Sequence, residues 1–447
     1  MRYLLALLIF FLTTADVFGW TASLAPGLSI KNAILYLIIL ALVARFVVRG
    51  GLRLELPQVH LWLTVLIVYA TLSWLTTSLL VHYNSYTLVS SGIDLKAYLL
   101  DNALVFVLYL HGTRTLTDAR FLLKCVLLAV AAANAISIGN VADLYHIGVA
   151  TVGIEGNLAG RVYGAFGHAN ETAALIACLL PAYLATALSS AGLARLFWGL
   201  AGAVSAALMI MSGSRGAFTS LVFSAIFASY ICRNLISWRR AAIIALVVAV
   251  VAVPLVALVS IKFGNILVQR VTEMILSPGT SSDERTYIWR PIFDVMLSRP
   301  VALLTGFGWD TYDAMGFAFA VHNHYLWLWF ELGIVGLGSY LMLIAQFLIT
   351  ARRAAGVASE KVARDLIAFI YGIVAMSCAV LFALLFRPWL YIFIYSALAM
   401  RMALIAMEAA QAPTRGERHG APVVESAGVA ARARRLVPPL QASQRNR

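Results

Sequence analysis

Charged residues are scarce in this sequence. Asp, Glu, Lys and Arg together make up 12% of its 447 residues, whereas a typical soluble domain carries about a quarter. Hydrophobic residues account for 62%, so too few polar side chains remain to cover a surface in water. A soluble enzyme and a disordered chain are therefore both excluded.

Cysteine is rare, and two common catalytic signatures are missing. The chain has 4 cysteines, which fall inside apolar runs without CxxC spacing, so no disulfide or zinc framework follows from them. It has no G-x-x-x-x-G-K-[ST] loop for ATP and no D-x-D pair. The lack of a D-x-D pair argues against a metal-dependent enzyme that uses nucleotide-sugars. We expect neither a metal nor a cofactor.

Long apolar runs fill most of the chain instead. Their length of about twenty residues is what a helix needs to cross a membrane, whereas an outer-membrane barrel would alternate apolar and polar residues. We predict an all-α polytopic domain over residues 1–407. Its spans, about twelve in number, cover residues 4–22, 31–48, 58–80, 96–111, 120–139, 169–189, 194–211, 216–232, 241–261, 324–349, 366–386 and 388–407. The first also resembles a signal peptide, and its cleavage would leave the other spans in the same orientation.

The basic residues are divided unequally between the two sides of these spans. Most of the 33 Lys and Arg residues fall in one set of alternate loops and in the C-terminal tail. The positive-inside rule places this side, with both termini, in the cytoplasm. The net charge of +13 therefore needs no nucleic-acid partner. The tail, residues 408–447, is rich in Ala, Pro and Arg, and we predict a disordered segment attracted to anionic lipids.

Some cations lie on the far side of the membrane, against this rule. They are Lys31, Lys96, Arg161, Arg215, Lys262, Arg270, Arg285, Arg290, Arg299 and Arg387. A contact with a lipid phosphate or a carboxylate would explain any single one of them. Several arginines on one face favour instead an anion-binding site, because guanidinium groups bind phosphates through paired hydrogen bonds.

Two of the far-side arginines have small residues around them. Arg161 lies near the end of a glycine-containing loop, and Asn170 stands at the start of the next span, where a polar side chain caps a helix. A tight loop with such a cap explains Asn170 without a functional role. Arg215 lies in the turn Met211–Phe218, whose small residues leave room for a diphosphate beside a helix N-terminus. A snorkelling interfacial arginine is the alternative.

The longest far-side loop, residues 262–322, contains two amphipathic segments. In the second, we expect Ser282 to cap a helix opened by acidic residues. The apolar stripe of this helix includes Trp289, and Arg285 lies off the stripe. Such a helix is expected to lie along the outer membrane surface rather than cross it.

Two histidines, His322 and His324, mark the point where this loop re-enters the membrane, and Glu331 follows two turns further on. Two histidines without a carboxylate or cysteine partner are weak evidence for a metal site. One histidine that faces several arginines suits a general base, because nearby cations keep it in its proton-accepting form. A hydrogen-bonded interfacial histidine is the alternative, and for His324 it is as strong as the functional interpretation.

An ordered set of motifs over residues 160–340 resembles the O-antigen ligase and polymerase superfamily of bacterial envelope glycosyltransferases. The set comprises Arg161-x-x-Gly164 with Asn170, Ser214-Arg215-Gly216-Ala217, Asp283-x-Arg285 with Trp289, Gly306-x-Gly308, His322-Asn323-x-Tyr325-Leu326 and Glu331-x-Gly333. No single motif is specific, so the resemblance depends on their order and spacing. The N-terminal third matches the family only as generic spans.

The resemblance implies a GT-C-like fold in the bacterial inner membrane and transfer of a glycan from undecaprenyl diphosphate at the periplasmic face. Arg215 and Arg285 would bind the diphosphate, with Arg161 as a third phosphate contact. His322 would activate the hydroxyl of the acceptor. No metal ion is needed if cations stabilise the leaving diphosphate, and direct displacement would invert the anomeric centre. The residues expected to support this site are His324, Asn170 and Glu331.

Several alternatives stay open. A ligase moves finished polymer onto lipid A-core, whereas a polymerase moves a growing chain onto the next lipid-linked repeat unit, and the sequence fits both. A protein-directed oligosaccharyltransferase is less favoured because no added soluble domain is visible. A transporter of polysaccharide or lipid-linked glycan would instead depend on a charge near the membrane midplane, such as Asp101.

Overall fold

The computed structural model describes residues 1–19, 23–49, 56–81, 83, 85–148, 151–153, 161–237, 239, 257, 261, 278–317, 319–384 and 389–411. Within these ranges the protein is an all-α polytopic membrane protein, which confirms the predicted fold class. Its helices are α1 (Arg2–Phe18), α2 (Ile30–Arg49), α3 (Pro57–Leu80), α4 (Leu88–Leu95), α5 (Asp101–Gly112), α6 (Leu116–Val141), α7 (Ala169–Leu188), α8 (Gly192–Met211), α9 (Arg215–Ile231), α10 (Pro278–Ser298), α11 (Pro300–Thr305), α12 (Thr311–Ala314), α13 (His324–Val357), α14 (Glu360–Ala379) and α15 (Trp389–Gln411). Two antiparallel hairpins pair β1 (Ser23–Ala25) with β2 (Leu28–Ser29) and β3 (Thr151–Gly153) with β4 (Arg161–Tyr163).

Seven helices of the described chain are long and apolar enough to cross a membrane: α3, α6, α7, α8, α13, α14 and α15. The predicted number of about twelve spans is not confirmed. Helices α1 and α9 have 17 residues each, and the predicted span 241–261 lies outside the described residues except for residues 257 and 261. The predicted span 96–111 is part of a longer helical run, in which α4, a π-helical turn (Lys96–Leu100) and α5 follow one another without a break.

Helix α15 forms the centre of the bundle. Every residue from Trp389 to Met400 is buried, and the helix packs against α5, α6 and α13. The rings of Phe106 in α5 and Phe393 in α15 meet edge to face, with centroids 6.2 Å apart. A helix that is apolar and covered on all sides lies in the interior of a bundle rather than against lipid.

Small residues allow close contact between the helices around this centre. Helix α14 packs against α7 and α9. A Cβ atom on Gly372 of α14 would stand 2.1 Å from the carbonyl oxygen of Cys178 in α7, so this contact requires glycine. Close packing through small residues matters in lipid, because no hydrophobic driving force acts between helices there.

The bundle has two distinct ends. One end is called the opposite end, because it lies across the bundle from the candidate site. There Arg120 Nε lies 2.7 Å from Oδ2 of Asp365, and the Asp365 residue is 3% exposed. At the end called the site end, α3 and α8 finish and α7, α9 and α13 begin. The loop residues 306–317 and 319–323 fold back over the site end, where Trp309 contacts α3 and Phe307 contacts α13.

Candidate functional site

A buried arginine joins the loop before α7 to the turn between α8 and α9. Arg161 is 7% exposed. Its Nε donates a hydrogen bond to the Ser212 carbonyl at 2.8 Å, and its Nη2 donates one to Oδ1 of Asn170 at 2.7 Å. Asn170 therefore orients Arg161, and α7 begins at Ala169 without a side-chain cap. Arg161 holds the turn that carries Arg215, and its predicted contact with phosphate stays a prediction.

Arg215 is the first residue of α9 and follows a well-defined turn. Oγ of Ser214 accepts a hydrogen bond from the N–H of Ala217 at 3.4 Å, and Oγ of Ser212 accepts one from the N–H of Ser214 at 3.3 Å. The Arg215 residue is half-buried, and its guanidinium has no hydrogen-bond or ion-pair partner in the described part of the chain. An arginine placed in this way beside a helix N-terminus suits the binding of an anion.

A turn after α14 lies between Arg215 and the two histidines. A Cβ atom on Gly216 would lie 2.8 Å from Cβ of Phe382, so the start of α9 packs directly on this turn. Two residues earlier, the Val380 carbonyl accepts a hydrogen bond from the N–H of His324 at 2.9 Å. The same turn therefore contacts the N-terminus of α9 on one flank and the N-terminus of α13 on the other.

His322 is exposed at the site end, and the backbone on both sides of it is anchored. Its φ of 47° lies in the left-handed region, which non-glycine residues adopt mainly in turns and at functional sites. Before it, the Val321 carbonyl accepts a hydrogen bond from Nε1 of Trp289 at 2.8 Å. After it, Oδ1 of Asn323 accepts one from the N–H of Leu326 at 3.0 Å and caps α13. The imidazole of the predicted base is thus carried by a fixed segment.

Helix α10 carries Arg285 and does not begin where we expected. It starts at Pro278, four residues before the predicted cap Ser282, because proline suits the first turn of a helix, where its missing N–H has no helical partner. Arg285 stands one helical turn before Trp289, and its side chain lies outside the described part of the structure. Its role in binding a diphosphate stays a prediction.

His324 has surroundings quite different from those of His322. It is 2% exposed, and its ring lies 5.3, 5.6 and 4.9 Å from the rings of Trp327, Tyr340 and Trp389, measured between centroids. These side chains help to line a small cavity of about 20 Å³. Neither imidazole nitrogen has a hydrogen-bond partner in the described chain, and no three His, Cys, Asp or Glu residues there are grouped as metal ligands. The position indicates a packing role for His324.

Helix α13 is broken at Gly333, and the break accommodates a glycine motif of the preceding loop. Gly333 has φ 61° and ψ −167°, which interrupts the helical hydrogen bonding around it. The carbonyls of Phe330 and Glu331 instead accept hydrogen bonds from the N–H groups of Phe307 (2.9 Å) and Gly308 (3.0 Å). The motifs Gly306-x-Gly308 and Glu331-x-Gly333 are therefore the two halves of one backbone junction.

The carboxylate of Glu331 strengthens this junction. Glu331 is 1% exposed. Its Oε2 accepts a hydrogen bond from the N–H of Asp310 at 2.9 Å, and its Oε1 accepts one from the N–H of Tyr312 at 3.4 Å. It therefore holds the start of α12 and the loop that leads to His322, so Glu331 positions this loop from within the bundle.

Side chains in and after α3 hold the same loop, and no pattern in the sequence indicated them. Oη of Tyr86 donates to the Trp309 carbonyl at 2.9 Å, and Oγ of Ser73 accepts from the Trp309 N–H at 3.1 Å. Oη of Tyr83 donates to the Phe307 carbonyl at 3.4 Å. The partners are 223 to 236 residues apart, so no local motif could have revealed them.

Two of the far-side cations are paired with carboxylates. Nζ of Lys31 lies 3.1 Å from Oδ1 of Asp16, and Nζ of Lys96 lies 3.0 Å from Oδ2 of Asp101. These lysines connect helical segments at the site end, so they do not add to an anion-binding site there. Three further members of the predicted set lie outside the described residues, namely Lys262, Arg270 and Arg387.

Asp310 is expected to make the stability of this loop depend on pH. Burial, and then the carboxylates of Asp94 and Asp313, raise its pKa from 3.8 to about 7. Between about pH 4 and 7 the folded chain therefore holds a proton that the unfolded chain has released, so stability falls as the pH rises through this range. We expect a higher midpoint of thermal unfolding at about pH 5 than at about pH 8.

Asn at position 310 is a matched control, because asparagine also tolerates the φ of 61° found there. In Asp310→Asn, the difference between the two unfolding midpoints should shrink. The measurement is thermal unfolding of the detergent-purified protein at both pH values. An unchanged difference in the variant would show that another group is responsible.

In a comparison with protein families, residues 200–341 match the family model described as O-antigen ligase. The matched segment runs from α8 into α13. It contains Arg215, Arg285, His322 and Glu331, and it begins after Arg161. No curated protein matches the chain.

Proposed function

We propose, from the match of residues 200–341 to the family model described as O-antigen ligase, that the protein is a membrane glycosyltransferase of the ligase type. It moves a glycan from undecaprenyl diphosphate to a hydroxyl of an acceptor sugar, in lipid A-core. The observation that supports this most is the pair of groups on the two flanks of the turn after α14. Arg215 offers a cation that is unpaired within the described residues on one flank, and His322 offers an exposed imidazole near the other.

In this proposal Arg215 stabilises the leaving group. The bond between the anomeric carbon and the diphosphate oxygen breaks, and negative charge develops on the diphosphate. A guanidinium binds phosphate oxygens through two parallel hydrogen bonds, and the amides at the start of α9 add to it. Arg285 supplies a second cation, while Arg161 fixes the turn through the Ser212 carbonyl. Stabilising the diphosphate in this way removes the need for a general acid.

His322 acts as the general base in this proposal. The acceptor hydroxyl attacks the anomeric carbon on the side opposite the diphosphate, and its proton passes to a nitrogen of His322. The transfer therefore inverts the anomeric centre and needs no metal ion. General-base catalysis contributes about 10² to 10⁴ in rate, which requires a histidine that substrate can reach. The exposure of His322 meets this requirement, whereas the burial of His324 does not.

We propose that the site end faces the periplasm of a bacterial inner membrane. The opposite end carries basic residues in the loops between helices, and some of them are held there by structural contacts. Arg120 pairs with Asp365, and Nη1 of Arg364 donates a hydrogen bond to the Leu188 carbonyl at 2.9 Å. Loops rich in Lys and Arg remain in the cytoplasm, so the lipid-linked donor would meet the site on the other side.

A transporter is the rival from another functional class, and the surroundings of Asp101 argue against it. The Asp101 carboxylate accepts hydrogen bonds from Oη of Tyr36 at 2.6 Å and from Nδ2 of Asn32 at 3.1 Å, and it pairs with Lys96. A residue that binds a coupling ion or proton must change partners during transport. Asp101 is instead held by three side chains, as in a structural contact.

Lipid-linked glycans in cells that lack the gene would test this proposal and separate ligase from polymerase. For a ligase we expect mass spectrometry to find long polymer on undecaprenyl diphosphate, with none on lipid A-core. Accumulation of single repeat units would show a polymerase instead. Repeat units trapped on the cytoplasmic side would replace both activities with transport. Complementation with the intact gene should restore the normal pattern.

A further inference from the structure

One face of α10 is exposed and combines an aromatic ring with two opposite charges. Tyr287, Arg290 and Asp294 are separated by three and then four residues, so they share one face of the helix. All three are exposed, Tyr287 to 70%. Across from them, the ring of Phe319 is 53% exposed and meets the Tyr287 ring edge to face, with centroids 6.2 Å apart. We call these four residues the aromatic platform.

The other face of α10 holds the platform against the His322 segment. Ile292 and Met296 are completely buried, and Nε1 of Trp289 donates to the Val321 carbonyl at 2.8 Å. Val321 immediately precedes His322. Phe319, at the other side of the platform, precedes His322 by three residues in the same chain segment. The platform is therefore continuous with the segment that carries the proposed base.

The composition of the platform fits a sugar better than a lipid tail. An α10 face buried in hydrocarbon would expose Arg290 and Asp294 to a medium in which charges are costly. Two residues of the apolar stripe of this helix, Ile292 and Met296, are buried inside the protein and therefore do not face the membrane. When a ligand binds, exposed aromatic rings bury apolar area without losing much side-chain entropy. A pyranose ring offers a matching apolar face with hydroxyls around its edge.

We propose that the aromatic platform binds a sugar ring of the acceptor glycan. Tyr287 and Phe319 stack on the apolar face of the ring, while Arg290 and Asp294 hydrogen-bond to its hydroxyls. The platform lies on the side of the proposed base, which takes its proton from the acceptor, rather than on the side of Arg215. This inference rests on the proposed glycosyltransferase function and adds the place where the acceptor is held.

Steady-state kinetics of the detergent-purified full chain, with donor and acceptor varied separately, test this proposal. Removal of one stacking ring, in Tyr287→Ala or Phe319→Ala, should raise KM for the acceptor about tenfold. KM for the donor and kcat should change little. Tyr287→Phe keeps the ring and should keep the wild-type KM.

The chain offers a matched control in α9. Phe223 and Phe227 form a second exposed aromatic pair, again with centroids 6.2 Å apart, on a different helix. Phe227→Ala should leave KM for both substrates unchanged. This control separates the loss of a sugar contact from a general effect of removing an exposed aromatic ring from a membrane protein.

Three results would overturn the platform as an acceptor site. They are an unchanged KM for the acceptor in both alanine variants, a raised KM for the donor alone, and an equal effect in Phe227→Ala. None of these results would contradict the proposed transfer reaction, which is tested separately by the loss of transfer on substitution of His322 and Arg215. Conversely, a wild-type protein without any transferase activity would contradict the proposed function, even if the platform variants folded and inserted normally.

Discussion

Replacing His322 with asparagine should reduce glycan transfer by about 10² to 10⁴. The variant loses the proton acceptor for the sugar hydroxyl, whereas asparagine accepts the left-handed φ of 47° at this position. The caps and anchors around the residue, from Trp289 and Asn323, do not involve its side chain. Initial rates with purified lipid-linked donor and acceptor would measure the loss, with the level of protein in the membrane as a check on folding.

Two further substitutions sharpen this prediction. Glycine at position 322 also fits the backbone, so His322→Gly should be equally inactive and should regain some activity when imidazole is added. His324→Phe removes a buried ring whose nitrogens have no partner in the described chain, and replacing it by an apolar ring should be close to neutral. Full activity in His322→Asn would show that His322 is not the base. Loss of activity only in His324→Phe would assign that role to His324.

Arg215→Ala should lower kcat by about 10² to 10³. The charge that develops on the diphosphate would lose a cation that is half-buried, unpaired within the described chain and adjacent to a helix N-terminus. Arg215→Lys keeps the charge but loses the paired hydrogen bonds, so it should retain only part of the activity. The measurement is the rate of transfer at saturating acceptor, with the donor concentration varied.

Arg195 supplies the matched control for this substitution. It is an exposed arginine near the start of α8, at the opposite end of the bundle, and its Nε donates to the Ser190 carbonyl at 3.1 Å. Arg195→Ala removes one positive charge from the protein without changing the site end, so its rate should equal that of the wild type. If Arg215→Ala were as active as Arg195→Ala, the diphosphate would have to be bound elsewhere.

The two variants also differ in the step they impair. Arg215 interacts with the donor, so its loss should be partly visible as weaker binding of the lipid diphosphate. His322 acts on the acceptor only as the new bond forms, so its loss should lower kcat with little change in KM for the donor. A pH profile that changes in His322→Asn but not in Arg215→Lys would support this division of roles.

The sequence indicated the residues of the candidate site through the order of their motifs, and no single motif was specific. Arginines on the far side are few and easily recognised, and the order of the glycine, arginine and histidine motifs indicated the same family as the model that matches residues 200–341. Their surroundings could not be predicted. Arg161 and Arg215 have similar small neighbours in the sequence, yet only Arg161 is engaged by Ser212 and Asn170.

Sequence by itself determined that this is a helical membrane protein, because the length of an apolar run and the shortage of charge are local properties that need no partner. It also predicted much of the span pattern, although the number of spans was not confirmed. Tertiary structure alone decided that His322 is exposed while His324, two residues later, is buried among three aromatic rings. It also paired Lys31 and Lys96 with carboxylates. Burial and pairing depend on residues brought together from distant parts of the chain, and packing of the helices determines which residues those are.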